Sequence, residues 1–296
     1  MIRSVTCSQS DINKSQPSYK SVGGIARVLV KSGDMKNICR SIQKRESAAA
    51  FNGALKGKTV VILGNSYTLR GTRWRSLRNL PAIGCNRALL STNLWPEYVM
   101  CADREVFYCV RGTGAWFRGV KAGVKLLFAE SLFDPSVILR GSGGVKTKEW
   151  LWAHAVPGFK WYRYTSGHKD KTWTYNDVIA GTVVPPYNFT DLGQPLVSGQ
   201  TILVQVLQAA LAMGASKIIS VGFEVSWPKR GKTHFVGKRK HSGGDWEHSF
   251  SIIRKCLGHI KEYMDSKGIR LYNLSPVKDS LFAGVFGSHT YEEALA

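Results

Sequence analysis

Two histidines, His234 and His241, stand in a run that also carries Lys229, Arg230, Lys232, Lys238, Arg239 and Lys240 and no acidic residue. A histidine titrating near neutral pH can take a proton from an attacking hydroxyl, and cations beside it can stabilise a departing phosphate. Taken singly, each is more often a solvated loop residue. A second set lies far upstream. Gly64-Asn65-Ser66 follows the apolar run Val60-Val61-Ile62-Leu63, and Cys85-Asn86-Arg87 follows a shorter one. Glycine lets a chain turn sharply and come close to a ligand, and backbone N–H groups at a helix start can hold an anion. The turn is no G-x-G-x-x-G and lacks the lysine of a Walker loop, so a phosphate turn and an ordinary strand-to-helix turn weigh about equally on spacing. The amides of Asn65 and Asn86 each offer a donor and an acceptor and could read a base or a ribose; the ordinary alternative is two local turns.

Such residues meet only if the fold brings them together. Short apolar runs at 59–64, 81–86, 97–103 and 125–130, separated by turns and helical spacers, predict buried strands of a parallel sheet. The stretch 198–227 is the clearest unit. Ser198 is placed to cap a helix with apolar positions Ile202, Leu203, Val206, Leu207 and Leu211, Gly214 ends it, and "KIISVGF" follows as a buried strand. An amphipathic helix within 249–268 and a strand at "IRLYNLSP" complete the pattern. The expected fold is α/β: a single Rossmann-like, doubly wound, mostly parallel sheet whose ligands sit beyond the carboxyl ends of the strands. Residues 1–57 are basic and weakly periodic and read as an extension that packs on the core or reaches for a partner. Residues 58–296 read as the main domain, with lid or insertion regions at about 141–197 and 228–245.

Composition narrows the partners. With 41 Lys and Arg against 20 Asp and Glu, the formal charge is +21. That excess attracts a polyanion, nucleic acid first and an anionic membrane or lipopolysaccharide surface second. The segment 141–197 interleaves Trp and Tyr with cations, as a surface that stacks bases and neutralises phosphates would; Lys160, Trp161, Arg163, Lys169 and Lys171, with Lys238, Arg239 and Lys240, are the candidate nucleic-acid contacts. Equally, the aromatics there could fill a core while the lysines stay solvated. No run reaches the length of a membrane span and the N-terminus lacks the apolar block of a signal peptide, so the expectation is a soluble, cytoplasmic protein. The six cysteines form no C-x-x-C pair or zinc spacing and are expected to be reduced thiols. No Asp-x-Asp motif, His-Glu-x-x-His motif or Cys/His cluster occurs, so no metal or resident cofactor is expected.

The pieces "VVILGNSYTLR", "GCNRAL", "SGQTILVQVLQAALAMGASKIISVGFE", "THFVG" and "IRLYNLSP" occur in an order that resembles glycosyltransferase family 42, bacterial sialyltransferases of a single-Rossmann, GT-A-like fold with uncharacterised phage and bacterial relatives. The resemblance covers about residues 58–282. It implies a nucleotide-sugar donor held by Gly64, Asn65, Ser66, Asn86, Ser198, Gly199, Gly222 and Glu224. It also implies a general base at His241, with His234 as fallback. The family's pair of leaving-phosphate tyrosines is missing, since no tyrosine lies between Tyr187 and Tyr263; Lys229, Arg230 or Lys232 would serve instead, and CMP-sialic acid does not follow as the donor.

Charge and resemblance together give the expectation of a metal-independent inverting glycosyltransferase acting on a nucleic acid, most directly a hydroxylated or hydroxymethylated DNA base of the kind phages modify. One alternative is a sialyltransferase-like enzyme acting on lipopolysaccharide or another surface glycan. A further one is a nucleic-acid-binding protein that keeps the fold without catalysis.

Overall fold

The computed structural model describes residues 47–90, 96–103, 106–107, 110, 115–133, 160–165, 173–225 and 246–296. Its strands are β1 Thr59–Leu63, β2 Ala82–Cys85, β3 Tyr98–Cys101, β4 Lys125–Ala129, β5 Lys160–Tyr162, β6 Tyr164–Thr165, β7 Leu196–Val197, β8 Lys217–Val221 and β9 Arg270–Asn273. The helices used below are α1 Ala115–Lys121, α2 Tyr175–Ala180, α3 Ile202–Ala212, α4 Trp246–Ser266, α5 Leu281–Phe286 and α6 Tyr291–Leu295.

Seven strands form one sheet in the order β5-β4-β3-β2-β1-β8-β9, every pair parallel. The chain builds outward from β1 in one direction and later returns to add β8 and β9 on its other side. The strand order therefore reverses between β1 and β8, and the loops leaving their carboxyl ends part to leave a crevice. This is the doubly wound Rossmann-like α/β fold expected from the sequence.

The strands read as unbroken apolar runs because both faces of the sheet are covered. In β1, Val60 and Ile62 enter a large core with α3, α4 and α5, while Val61 and Leu63 enter a smaller one with Leu69, Leu77 and Ala294. Burying each such side chain contributes about 1.5–3 kcal/mol. Helix α3 lies so deep that Leu203 through Ala212 are all buried. Its two glutamines there are bonded: Gln205 Oε1 accepts from the Tyr162 hydroxyl at 2.8 Å, and Gln208 Nε2 donates to Val197 and Val204 carbonyls at 2.9 Å.

Three local findings differ from, or decide between, the sequence expectations. Thr201, not Ser198, caps α3, its hydroxyl accepting from Leu203 N at 3.3 Å. Ser198 lies a turn earlier because Gly199 and Gln200 take left-handed φ values of 50° and 58° and hold it out of register. In the 141–197 segment, Tyr162, Trp173 and Tyr175 are buried in the main core, Tyr164, Tyr187 and Phe189 pack against it partly buried, and Lys160–Tyr162 extends the sheet as an edge strand. Residues 47–57 pack against the domain, with Ala48 and Leu55 fully buried and Gly53, Leu55 and Gly57 donating to the carbonyls of Ala212, Met213 and Gly214. Among the described residues, no helix is long and apolar enough to cross a membrane.

Candidate active site

The loops after β1, β2 and β8 share the carboxyl edge of the sheet, which places Gly64, Asn65, Ser66, Asn86, Gly222 and Glu224 together. Helix α3 feeds β8, so it runs antiparallel to the strands and starts at that same edge, where Ser198 and Gly199 precede it.

Gly64 has a reason to be glycine that spacing did not reveal. A Cβ on it would stand 2.0 Å from the Gly222 carbonyl oxygen. The two loops are zipped beyond the strands, Gly64 N donating to Val221 O at 2.8 Å and Ser66 N to Gly222 O at 3.1 Å. The close approach is to the neighbouring loop. Gly222 itself has φ 73°, and a Cβ there would strike Leu69 at 2.7 Å.

The polar side chains divide sharply. Ser66 is buried, and its hydroxyl accepts from Thr68 N to cap the short 3-10 turn Tyr67–Gly71. Asn65 Oδ1 accepts from Arg87 N at 3.0 Å, and its Nδ2 lies 3.7 Å from Cys85 Sγ, so this amide ties the β1 turn to the β2 turn. Glu224 is 5% exposed, and its Oε1 accepts from the hydroxyls of Thr68 and Ser275. Ser198 Oγ accepts from Gln200 N and from the Tyr175 hydroxyl. Asn86 differs from all of them. Its backbone is held at φ 53°, and its Oδ1 is buried with no hydrogen-bond partner. A buried acceptor left unmade costs about 1–3 kcal/mol, and a non-glycine residue in the left-handed region adds to that. This cost falls at the edge where doubly wound sheets bind their ligands.

Nearby thiols do not supply a nucleophile. Cys85 and Cys101 are buried, and burial pushes both far above the ordinary cysteine range. Among the described residues, no group of three His, Cys, Asp or Glu side chains is placed to hold a metal ion.

Of the remaining expected residues, His234, His241, Lys229, Arg230, Lys232, Lys238, Arg239 and Lys240 lie outside the described residues, as do Lys169 and Lys171. Trp161 is described only as backbone of β5. The Lys160 ammonium lies 6.0 Å from the centre of the Phe51 ring, which packs on Tyr98 at the amino end of β3, and Arg163 donates to Gly193 O at 3.2 Å. A pocket of about 220 Å³ beside β9, lined by Lys261, Asp265, Arg270, Tyr272, Phe286 and His289 among others, contains none of the motif residues. Sequence reasoning missed Ser275; the hint there was a hydroxyl residue in the turn that follows an apolar run.

No protein-family model and no curated protein matches the chain. Among solved structures it is similar to the sialyltransferase CstII from Campylobacter jejuni in complex with a substrate analogue, cytidine-5'-monophosphate, with 16% identity, 80% of this chain and 86% of that chain covered, and a TM-score of 0.44. It is also similar to CstII in complex with CMP-3FNeuAc, with 16% identity, coverage of 79% and 86%, and a TM-score of 0.41.

Proposed function

We propose that the chain is a glycosyltransferase that takes a sugar from a nucleotide-sugar donor bound at the β1/β8 switch point and passes it to a hydroxyl of an anionic glycan. The observation that carries this reading is the orphaned Asn86 Oδ1 beside the Gly64-Asn65-Ser66 turn. An acceptor held ready there would take an amino or hydroxyl group of the nucleotide.

In the proposed reaction the acceptor oxygen attacks the anomeric carbon. The bond from that carbon to the donor phosphate breaks, the phosphate leaves with the electron pair, and the acceptor proton passes to a base. His241, or His234, is the base in this proposal, with Lys229, Arg230 and Lys232 neutralising the leaving phosphate without a metal.

The acceptor follows from two considerations. The +21 charge favours a polyanion, and the family resemblance favours a surface glycan such as lipopolysaccharide. A DNA acceptor rested on that charge together with the aromatic and basic middle segment. In the segment, Tyr162, Trp173 and Tyr175 are core residues, Tyr164, Tyr187 and Phe189 pack against the core, and the Lys160 and Arg163 head groups lie against Phe51 and Gly193 of the fold.

The test is a transfer screen with CMP-, UDP- and GDP-sugars against lipopolysaccharide, oligosaccharides and duplexes carrying hydroxymethylated bases, read by mass spectrometry. A gain of one sugar on a glycan is expected. Gain on a duplex alone would move the acceptor to DNA, and no donor turnover with any acceptor would defeat the proposal.

A further inference from the structure

We infer that Glu224 is a positioning residue of this site, acting through the Ser66–Thr68 turn and not by touching the donor; the inference rests on the donor reading above. One oxygen of its carboxylate gathers three loops. Oε1 accepts from Thr68, 156 residues away after β1, and from Ser275, 51 residues away after β9, while Glu224 itself follows β8. Each hydroxyl is anchored in turn. Thr68 N donates to Ser66 Oγ at 3.3 Å inside the donor turn. Ser275 N donates to Asn273 Oδ1 at 3.0 Å, and Ser275 Oγ accepts from Val277 N at 3.2 Å. The backbone beside Glu224 is pinned as well, Phe282 N donating to Glu224 O and Leu281 N to Val225 O, both at 3.3 Å.

Chemistry explains the choice of a carboxylate. It only accepts, so both hydroxyls must donate to it, and their rotors are fixed. A hydroxyl in its place could donate as well as accept and let the turn relax. A direct role is disfavoured by sign, since a carboxylate repels the donor's phosphates. Glu224 belongs beneath the turn, as the brace that keeps the Gly64–Thr68 backbone in its binding geometry.

The experiment pairs nucleotide calorimetry with amide hydrogen exchange over residues 64–69, on the full chain and on Glu224→Gln, Glu224→Ala, Thr68→Val and Ser275→Ala. Glutamine keeps an acceptor oxygen, so Glu224→Gln should hold CMP affinity within about threefold and leave exchange unchanged, whereas Glu224→Ala should weaken binding about tenfold and speed exchange. Adding Thr68→Val to Glu224→Ala should cost nothing further, since both remove the same contact. A loss in Glu224→Gln equal to that in Glu224→Ala, with exchange unchanged, would make Glu224 a direct ligand contact and overturn the inference. If Glu224→Ala does not fold, Thr68→Val and Ser275→Ala carry the test, since each deletes one strut and leaves the carboxylate in place. If the unaltered protein binds no nucleotide, the donor reading fails. The exchange measurement still decides the brace, which is overturned if Glu224→Ala leaves residues 64–69 as protected as before.

Discussion

The two edges of the sheet are built from similar residues to opposite effect. At the amino edge, polar groups find partners. Asn52 donates to Asp191 Oδ1 at 2.7 Å and accepts from Leu192 N at 2.8 Å, and that amide, with Gly193 N–H, holds the Asp191 carboxyl below its usual range. Lys125 pairs with Glu97 at 2.9 Å and with the Tyr98 hydroxyl at 3.2 Å, which raises the lysine's pKa. At the carboxyl edge, asparagine serves differently. Asn65 closes a turn, but Asn86 keeps a buried acceptor unused on a left-handed backbone. Asparagine at one edge seals the fold, and at the other it carries an unmet cost. Local instability at one edge, offset by satisfied contacts at the other, is the division expected of a scaffold that carries a site.

The hardest test of that contrast is Gly64→Ala. Its methyl would fall 2.0 Å from Gly222 O, a backbone atom that cannot swing aside, so the β1 and β8 loops must separate. A loss of about 3 kcal/mol in denaturant unfolding is expected, with nucleotide binding abolished. A wild-type unfolding midpoint would show that the loop zipper is looser than described.

Asn86→Gly should separate stability from function. Glycine adopts φ 53° freely and removes the orphan acceptor, so the protein should gain about 1 kcal/mol while nucleotide affinity falls about tenfold. Unchanged affinity would remove Asn86 from the site. The mirror experiment at the amino edge is Asn52→Ala, expected to cost about 1 kcal/mol and to leave nucleotide affinity as it was. A matching fall in affinity would mean that the two edges are not independent.

The smallest expected effect lies between the edges, in α4. His259 Nδ1 sits 3.2 Å from the Tyr187 hydroxyl, and burial holds its pKa below the usual 6.5. Below pH about 6.5 the unfolded chain takes up a proton that folded His259 refuses, so stability falls on acidification through that window and is level above it. Thermal melts from pH 7.5 to 5.5 should show this slope, reduced in His259→Gln. An identical slope in both would assign it elsewhere.

Much of the architecture could be read before the fold was known, and particular residues show why. Val60 to Leu63 is apolar throughout because alternate side chains enter two cores, and that pattern needs no knowledge of the neighbours. β2 and β8 divide between the two cores in the same way, whereas Tyr98–Cys101 of β3 and Leu126–Ala129 of β4 all enter the large one and are apolar for that reason. β5 escaped notice because Lys160–Tyr162 is three residues long and becomes a strand only by pairing with Leu127–Ala129. The cap of α3 was misplaced by three residues because Ser198 and Thr201 are equally good caps in isolation. The left-handed Gly199 and Gln200 choose between them.

The amino-acid sequence by itself determined the parallel sheet, the glycine turns at its carboxyl edge and the basic character of the chain, since these depend on composition and local pattern. Only the tertiary structure decided which asparagine keeps a free acceptor, that Gly64 is small for the sake of Gly222, and that Glu224 holds three loops. Those outcomes depend on partners 20 to 158 residues apart, whose meeting is set by strand order and packing and leaves no local trace.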